Sequence, residues 1–191
     1  APITLDPGKF INPNVTAKGE QRAVVALTRL KTLWFNTGSL CNIACQNCYM
    51  ESTPSNDALA YLSVEDVEKY LREITRENLP VEEIAFTGGE PFMNKALVAM
   101  LEMSLMRGYR VLVLSNAMKP LHHRFDALLA LKARYGDKLA IRVSIDHYNQ
   151  DKHEAIRGPD TWMPMLKGLK WLAENGFNLT IAGRTCWNES E

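Results

Sequence analysis

Cys41, Cys45 and Cys48 fall within eight residues, in the stretch Cys41-Asn-Ile-Ala-Cys45-Gln-Asn-Cys48-Tyr49, and the chain has one further cysteine, Cys186. Thiols this close along a chain suit a shared ligand better than a disulfide framework, because the intervening segments of three and two residues suit chelation. Cysteines at i, i+4 and i+7 can wrap three corners of an iron–sulfur cube from one loop. Such a cube ordinarily takes four thiolates, so three leave a corner open. An open metal position is where a substrate or cofactor binds. The alternative is a zinc site completed by Cys186, His122 or His147, although zinc ligands usually come as two spaced pairs and only one cluster is present.

Four further stretches carry side chains with chemical use. In Gly88-Gly89-Glu90-Pro91 the glycines let backbone approach a ligand closely and Glu90 can accept hydrogen bonds from an ammonium group; the plainer role is a tight strand-to-helix turn. Ser144 and Asp146 point the same way along a strand, a hydroxyl beside a carboxylate that suits ribose hydroxyls; a strand-end cap would use the same residues. Arg157 offers a planar fork for a carboxylate, or is a solvated surface arginine. Asn116 stabilises a turn or contacts a ligand. Cys186 reads as a free thiol, Trp34, Trp162 and Trp171 as packing residues, and His122-His123 as the head of a helix.

These residues need a scaffold that brings them together. Residues 1–29 carry Pro2, Pro7, Gly8, Pro13 and Gly19 and read as an extended lead-in, with Arg22 to Leu27 a short strand and one arm of a hairpin. Strands are expected over 30–36, 83–87, 109–114, 139–145 and 178–182, from their apolar, β-prone runs. Between them lie helices with apolar stripes. One is capped by Ser63 with Asp66 and carries Val64, Val67, Leu71 and Ile74. A second starts at Asn94 and carries Leu97, Met100, Leu101 and Leu105. A third carries Phe125, Leu128, Leu129 and Leu131. The last starts near Thr161, after a polar segment with Glu154 and Arg157, and carries Met165, Leu166, Leu169 and Leu172. Strand and helix alternating about every 30 residues give an α/β fold with a parallel sheet of right-handed βα units. Ligands bind such sheets at the carboxyl ends of the strands. The cysteines, Gly88 to Pro91, Ser115-Asn116, Ser144 with Asp146, and Arg184 all fall at those ends.

Composition sets wider bounds. The 191 residues are 46% hydrophobic and 23% charged, values of an ordinary globular domain. Lys+Arg and Asp+Glu both number 22, so no general attraction to nucleic acid or an anionic membrane follows. Apolar runs such as Val111 to Leu114 are too short to span a bilayer, and the first residues lack a charged-then-apolar signal pattern. Clustered free thiols indicate a reduced, cytoplasmic setting.

Together the motifs resemble the radical S-adenosylmethionine (radical SAM) superfamily, most closely its peptide-modifying and sulfatase-maturing branches. Cys41-x-x-x-Cys45-x-x-Cys48 matches the cluster motif, and Gly88-Gly89-Glu90-Pro91 the segment that holds the methionine ammonium group. Ser144-Ile145-Asp146 and Arg157-Gly158 match the stretch that contacts the ribose and the methionine carboxylate; Asn116 falls where a polar residue follows the third strand. The resemblance implies a [4Fe–4S] cluster and S-adenosylmethionine as cofactors. It also implies a one-electron donor such as a flavodoxin or ferredoxin, and cleavage of the sulfonium to a 5′-deoxyadenosyl radical that takes hydrogen from an unidentified substrate, a small molecule or a peptide. A truncated, non-catalytic cofactor-binding module is the alternative, and a zinc-stabilised domain a further one. The sequence departs from the family at Asn47, where an aromatic residue is usual and Tyr49 is the available substitute, and at His147, where a glycine is usual. Five strands where the family core has six make a partial barrel the expected architecture of residues 30–191, shortened or completed by a partner.

Overall fold

The computed structural model describes residues 11–184, so Cys186 lies outside the described residues. Two compact units are present, 1–30 and 31–191. In the first, a turn over Thr16–Gly19 is closed by Gly19 N–H donating to Thr16 O at 3.0 Å, and a single antiparallel bridge joins Val15 to Gln21. The strand expected over 22–27 does not form. Val24 and Val25 are 91% and 89% exposed, so the apolar run is not buried.

The second unit is one sheet of five parallel strands in sequential order: β1 (Thr32–Asn36), β2 (Glu83–Thr87), β3 (Arg110–Ser115), β4 (Leu139–Ser144) and β5 (Asn178–Ala182). Sequential order with right-handed crossovers sends every helix to the same face and curls the sheet into part of a barrel. The helices are α1 (Val64–Arg76), α2 (Leu97–Met106), α3 (Lys119–His122), α4 (Phe125–Tyr135), α5 (Gln150–Arg157) and α6 (Trp162–Glu174). The fold is thus the α/β partial barrel expected from the alternation of elements.

The pleat divides the side chains. Ile84 and Phe86, Val111 and Val113, and Leu139, Ile141 and Val143 are fully buried and adjacent in register. They meet Val67, Leu71, Met100, Leu101, Leu105, Leu128, Met165 and Leu172, the buried stripes of the helices. Side chains alternate along a strand, so Trp34, Ala85, Leu112, Ala140 and then Thr87, Leu114, Ser144 and Ala182 lie on the opposite, concave face. Trp34 is 45% exposed there, not a core packing residue. Trp171 does pack, stacked on Phe125 with centroids 3.7 Å apart.

Caps set the helix boundaries. Ser63 Oγ accepts from Asp66 N–H at 3.1 Å while Asp66 Oδ2 accepts from Ser63 N–H at 3.1 Å, the reciprocal box expected from the sequence. Asn94 does not open α2; it closes a single turn at Pro91–Met93, and α2 begins three residues later. The segment before α6 is itself helical. Asn149 caps α5 by accepting from Lys152 N–H at 3.1 Å, and Gly158 leaves it at φ +101°. Only His153 and Ile156 of α5 are buried, so no apolar stripe marked it.

Candidate metal centre

The cysteine loop follows β1 without regular structure and is held from several sides. Gly89 N–H donates to Gly38 O at 2.9 Å and Glu90 N–H to Leu40 O at 3.0 Å, zipping the turn after β2 onto the residues just before Cys41. A Cβ on Gly89 would lie 2.2 Å from Leu40 O, and one on Gly88 would lie 2.8 Å from Gly38 O. The close backbone approach these glycines permit is therefore to the cysteine loop itself. Further along, Cys41 N–H donates to Thr53 O at 3.1 Å and Gln46 N–H to Ile156 O at 2.7 Å. Asn47 sits at φ +57°, a left-handed conformation that asparagine tolerates better than bulky aromatic residues.

Cys41, Cys45 and Cys48 are all free and line one cavity of about 350 Å³ at the carboxyl ends of the strands, a size suited to a small ligand. Gly88, Gly89, Asn116, Ser144, Asp146, Arg157 and Tyr49 line it too, so most of the residues singled out in the sequence converge. Glu90 and Pro91 do not line it. The Glu90 carboxylate turns inward and accepts from Ser115 Oγ at 2.9 Å, Asn116 N–H at 2.8 Å and Phe92 N–H at 3.2 Å. Burial pushes its pKa up to about 7 against those donors.

Asp146 is the node of the opposite wall. Its side chain is fully buried between two arginines. Oδ1 accepts from Arg184 N–H and Nε at 3.1 and 3.0 Å; Oδ2 accepts from Arg184 Nη2 at 2.6 Å and Arg157 Nε at 2.9 Å. Burial pushes the carboxyl up, but the hydrogen bonds and charges of Arg184 and Arg157 more than reverse this and leave it below its ordinary range. Arg184 also donates through Nη1 to Gln46 O at 2.9 Å and Asn47 O at 3.4 Å. It thus ties the end of β5 and Asp146 to the backbone between the second and third cysteines. Arg157 spends only Nε on Asp146 among the described contacts, so its terminal nitrogens can reach a ligand carboxylate.

Sequence reasoning placed Arg184 on the rim without a role and overlooked Ser52, Thr87 and Gly183, which line the same cavity. Ser52 is 3% exposed and its Oγ has no hydrogen-bond partner. Nothing in its surrounding sequence marks it; only the fold carries the polar linker back under the cysteines.

The donor set suits an iron–sulfur cube. Burial pushes the Cys41 thiol up to about 12, and it raises Cys45 against the opposing charges of Arg157 and Arg184. Such buried thiols ionise when metal supplies the compensating positive charge. Among the described residues no three His, Cys, Asp or Glu side chains close on a single ion; a cube binds each cysteine through a different iron, so its sulfurs need not meet at a point. The two histidines considered for zinc lie outside the cavity lining. His122 Nε2 sits between Ala117 O and Pro164 O, and His147 Nδ1 accepts from Asn149 N–H. The unpartnered Ser52 hydroxyl and the free fork of Arg157 are polar groups a bound ligand would satisfy.

The sequence model of the radical SAM superfamily matches residues 35–188. The chain belongs to the radical SAM superfamily. Its members bind a [4Fe–4S] cluster and S-adenosylmethionine, which are therefore the cofactors of this chain. The radical SAM chain is 29% identical over 143 residues to the antilisterial bacteriocin subtilosin biosynthesis protein AlbA of Bacillus subtilis (strain 168), covering 74% of this chain and 30% of that protein. It is 26% identical over 145 residues to a probable GTP 3′,8-cyclase of Saccharolobus islandicus, covering 74% of this chain and 43% of that protein. In structure it is similar to Streptococcus suis SuiB bound to S-adenosylmethionine, with a TM-score of 0.70 at 16% identity over 85% of this chain and 36% of that one. SuiB bound to precursor peptide SuiA matches at a TM-score of 0.68 and 17% identity, over 85% of this chain and 35% of that one. The chain spans less than half the length of each of these proteins. No described helix is long and apolar enough to cross a membrane.

Proposed function

We propose that residues 30–191 form the cofactor-binding core of a radical SAM enzyme acting on a peptide, with residues 1–29 as a lead-in. Cys41, Cys45 and Cys48 hold three irons of the cluster. The supporting observation is the convergence of three free thiols, an arginine with an unspent fork and two glycines on one cavity. Arg157 receives the methionine carboxylate of S-adenosylmethionine, the backbone at Gly88 and Gly89 faces its ammonium group, and Ser144 faces its ribose. Asn116 and Tyr49 flank the nucleoside end. Asp146 acts through the two arginines it orients, because all its described acceptor capacity is committed to them.

When bound, the cofactor pair supplies a 5′-deoxyadenosyl radical through one-electron cleavage of the sulfonium, and that radical takes hydrogen from substrate. The chain's own share is orientation and exclusion of water. The cysteine loop is pinned at Leu40, Thr53, Ile156 and Arg184 before any ligand arrives, so little ordering remains to be done on binding. Peptide modification is supported by the similarity to AlbA, a bacteriocin biosynthesis protein.

The test is anaerobic reconstitution followed by dithionite and S-adenosylmethionine. The expected result is protein-bound iron and sulfide and release of 5′-deoxyadenosine, with iron lost in the Cys41→Ala/Cys45→Ala/Cys48→Ala variant. Iron retained by that variant, or one equivalent of zinc without iron or sulfide in the anaerobically prepared protein, overturns the reading. Full cluster content without 5′-deoxyadenosine leaves a cofactor-binding module in place of an enzyme.

A further inference from the structure

A second cavity, of about 600 Å³, opens beside the cofactor site and shares none of its lining residues. Its walls are the single turn at Pro91–Met93, α3 with the residues that flank it, Asn42 of the cysteine loop, Asp160 between α5 and α6, and Pro164 of α6. The floor is apolar: Phe92, Met93, Met118, Pro120 and Pro164. The rim carries Lys95, Lys119, His123 and Arg124 against a single acid, Asp160. Lys95 and Lys119 are exposed. Among the described residues no ion pair involves Lys95, Lys119 or Arg124. A chain of zero net charge thus concentrates unpaired positive charge around one apolar depression.

The partition between the two cavities is thin. Asn42 Nδ2 lies 3.8 Å from Met118 Sδ, and both residues line the groove. Asn42 Oδ1 accepts from Asn116 Nδ2 at 2.9 Å, and the same nitrogen approaches Cys41 Sγ at 3.9 Å. Three contacts therefore lead from the groove floor to the sulfur of Cys41. A substrate must reach the cofactor cavity itself, whereas an electron donor needs only proximity to the cluster, because electron transfer weakens steeply with distance but needs no open passage.

We propose that this groove is the docking surface for an acidic one-electron donor protein, which delivers its electron through Met118, Asn42 and Asn116 to the cluster at Cys41. The proposal rests on the reading of Cys41, Cys45 and Cys48 as cluster ligands. The donor loses one electron and the cluster gains one; no atom is transferred. A small apolar patch inside a ring of like charge suits the short-lived complexes of electron-transfer proteins, which bury little area and rely on electrostatic steering.

The experiment uses the reconstituted full chain, a photoreduced acidic flavodoxin as the probe, and loss of the cluster's visible absorbance as the readout. In Lys95→Glu/Lys119→Glu/Arg124→Glu the flavodoxin-driven rate should fall by at least roughly tenfold at low ionic strength, and the difference should shrink in high salt. Iron content and dithionite-driven bleaching should match the wild type. The milder Lys95→Gln/Lys119→Gln variant keeps the side-chain volume and should slow the flavodoxin reaction by roughly threefold, so the answer does not depend on the triple variant folding. Equal flavodoxin rates in wild type and variants overturn the proposal. Unchanged flavodoxin rates with lost binding of a polyglutamate peptide also overturn it and assign the groove to an acidic peptide. Failure of the wild type to take up iron removes the cluster reading itself, an outcome distinct from equal rates in a loaded protein.

Discussion

Replacing Asp146 by asparagine tests the node on which the cofactor wall is built. The substitution preserves shape but removes the one negative charge between two guanidinium groups, and it turns an amide NH2 toward donors that need an acceptor. The lost partner is fully buried, while Arg157 and Arg184 side chains are 12% and 34% exposed. Removing one member of a buried ion pair costs about 3–5 kcal/mol; partial solvation of Arg184 favours the lower figure, about 3 kcal/mol. For a chain of 150–250 residues each kcal/mol shifts the melting temperature by about 2–4 °C, so a fall of about 6–12 °C is expected. The assay is thermal unfolding of the cluster-free protein under reducing conditions near neutral pH, followed by circular dichroism. The sign of the pH dependence is a second check. The Asp146 carboxyl titrates below its ordinary range in the folded protein. Its contribution is therefore complete above the unfolded carboxyl pKa of about 4 and is lost as pH falls through the folded value. The gap between wild type and Asp146→Asn should close in strong acid. A melting temperature within about 2 °C of wild type, or a gap that does not change with acid, refutes the two-arginine bracket.

Glu90 has the opposite sign. Its pKa rises from 4.5 to about 7 on folding, so its favourable contribution is full below the unfolded value and is lost as pH rises through the folded one. The stability of wild type relative to Glu90→Gln should fall by about 3 kcal/mol across that window; urea titrations at either end measure it, and a gap that grows with pH would show that the three donors hold the anion instead. Gly89→Ala puts a Cβ 2.2 Å from Leu40 O, a collision with backbone that should cost at least about 2–3 kcal/mol and displace the loop carrying Cys41. Reconstituted iron content and melting temperature should drop together, and normal values for both would show that the zipper at Leu40 is dispensable.

Local features of the sequence located much of the sheet. Glu83–Thr87 and Asn178–Ala182 are the strands expected from their apolar runs, and the Ser63–Asp66 box starts α1 at the expected residue. The misses share a cause. Arg22 to Leu27 has the composition of a strand but forms no strand among the described residues, because strand formation depends on tertiary pairing as well as on composition. α5 buries two residues and so carries almost no periodic signal. Its markers were the cap at Asn149 and the stop at Gly158, both of which occur as readily in loops.

At the site, sequence alone located the cysteine triad just after the first strand, because a cluster of cysteines is defined by spacing along the chain. Alternation of strand and helix settled which end of the sheet the unusual residues share. It could not settle which way each side chain turns once there. Glu90 is drawn inward by Ser115 and by the backbone of Phe92 and Asn116; Asp146 is consumed by arginines 11 and 38 residues away. Ser52 is carried in by a linker with no distinguishing pattern. Direction depends on which donors and charges happen to face a buried group, and those come from segments distant in sequence that only the closed sheet brings within hydrogen-bonding range.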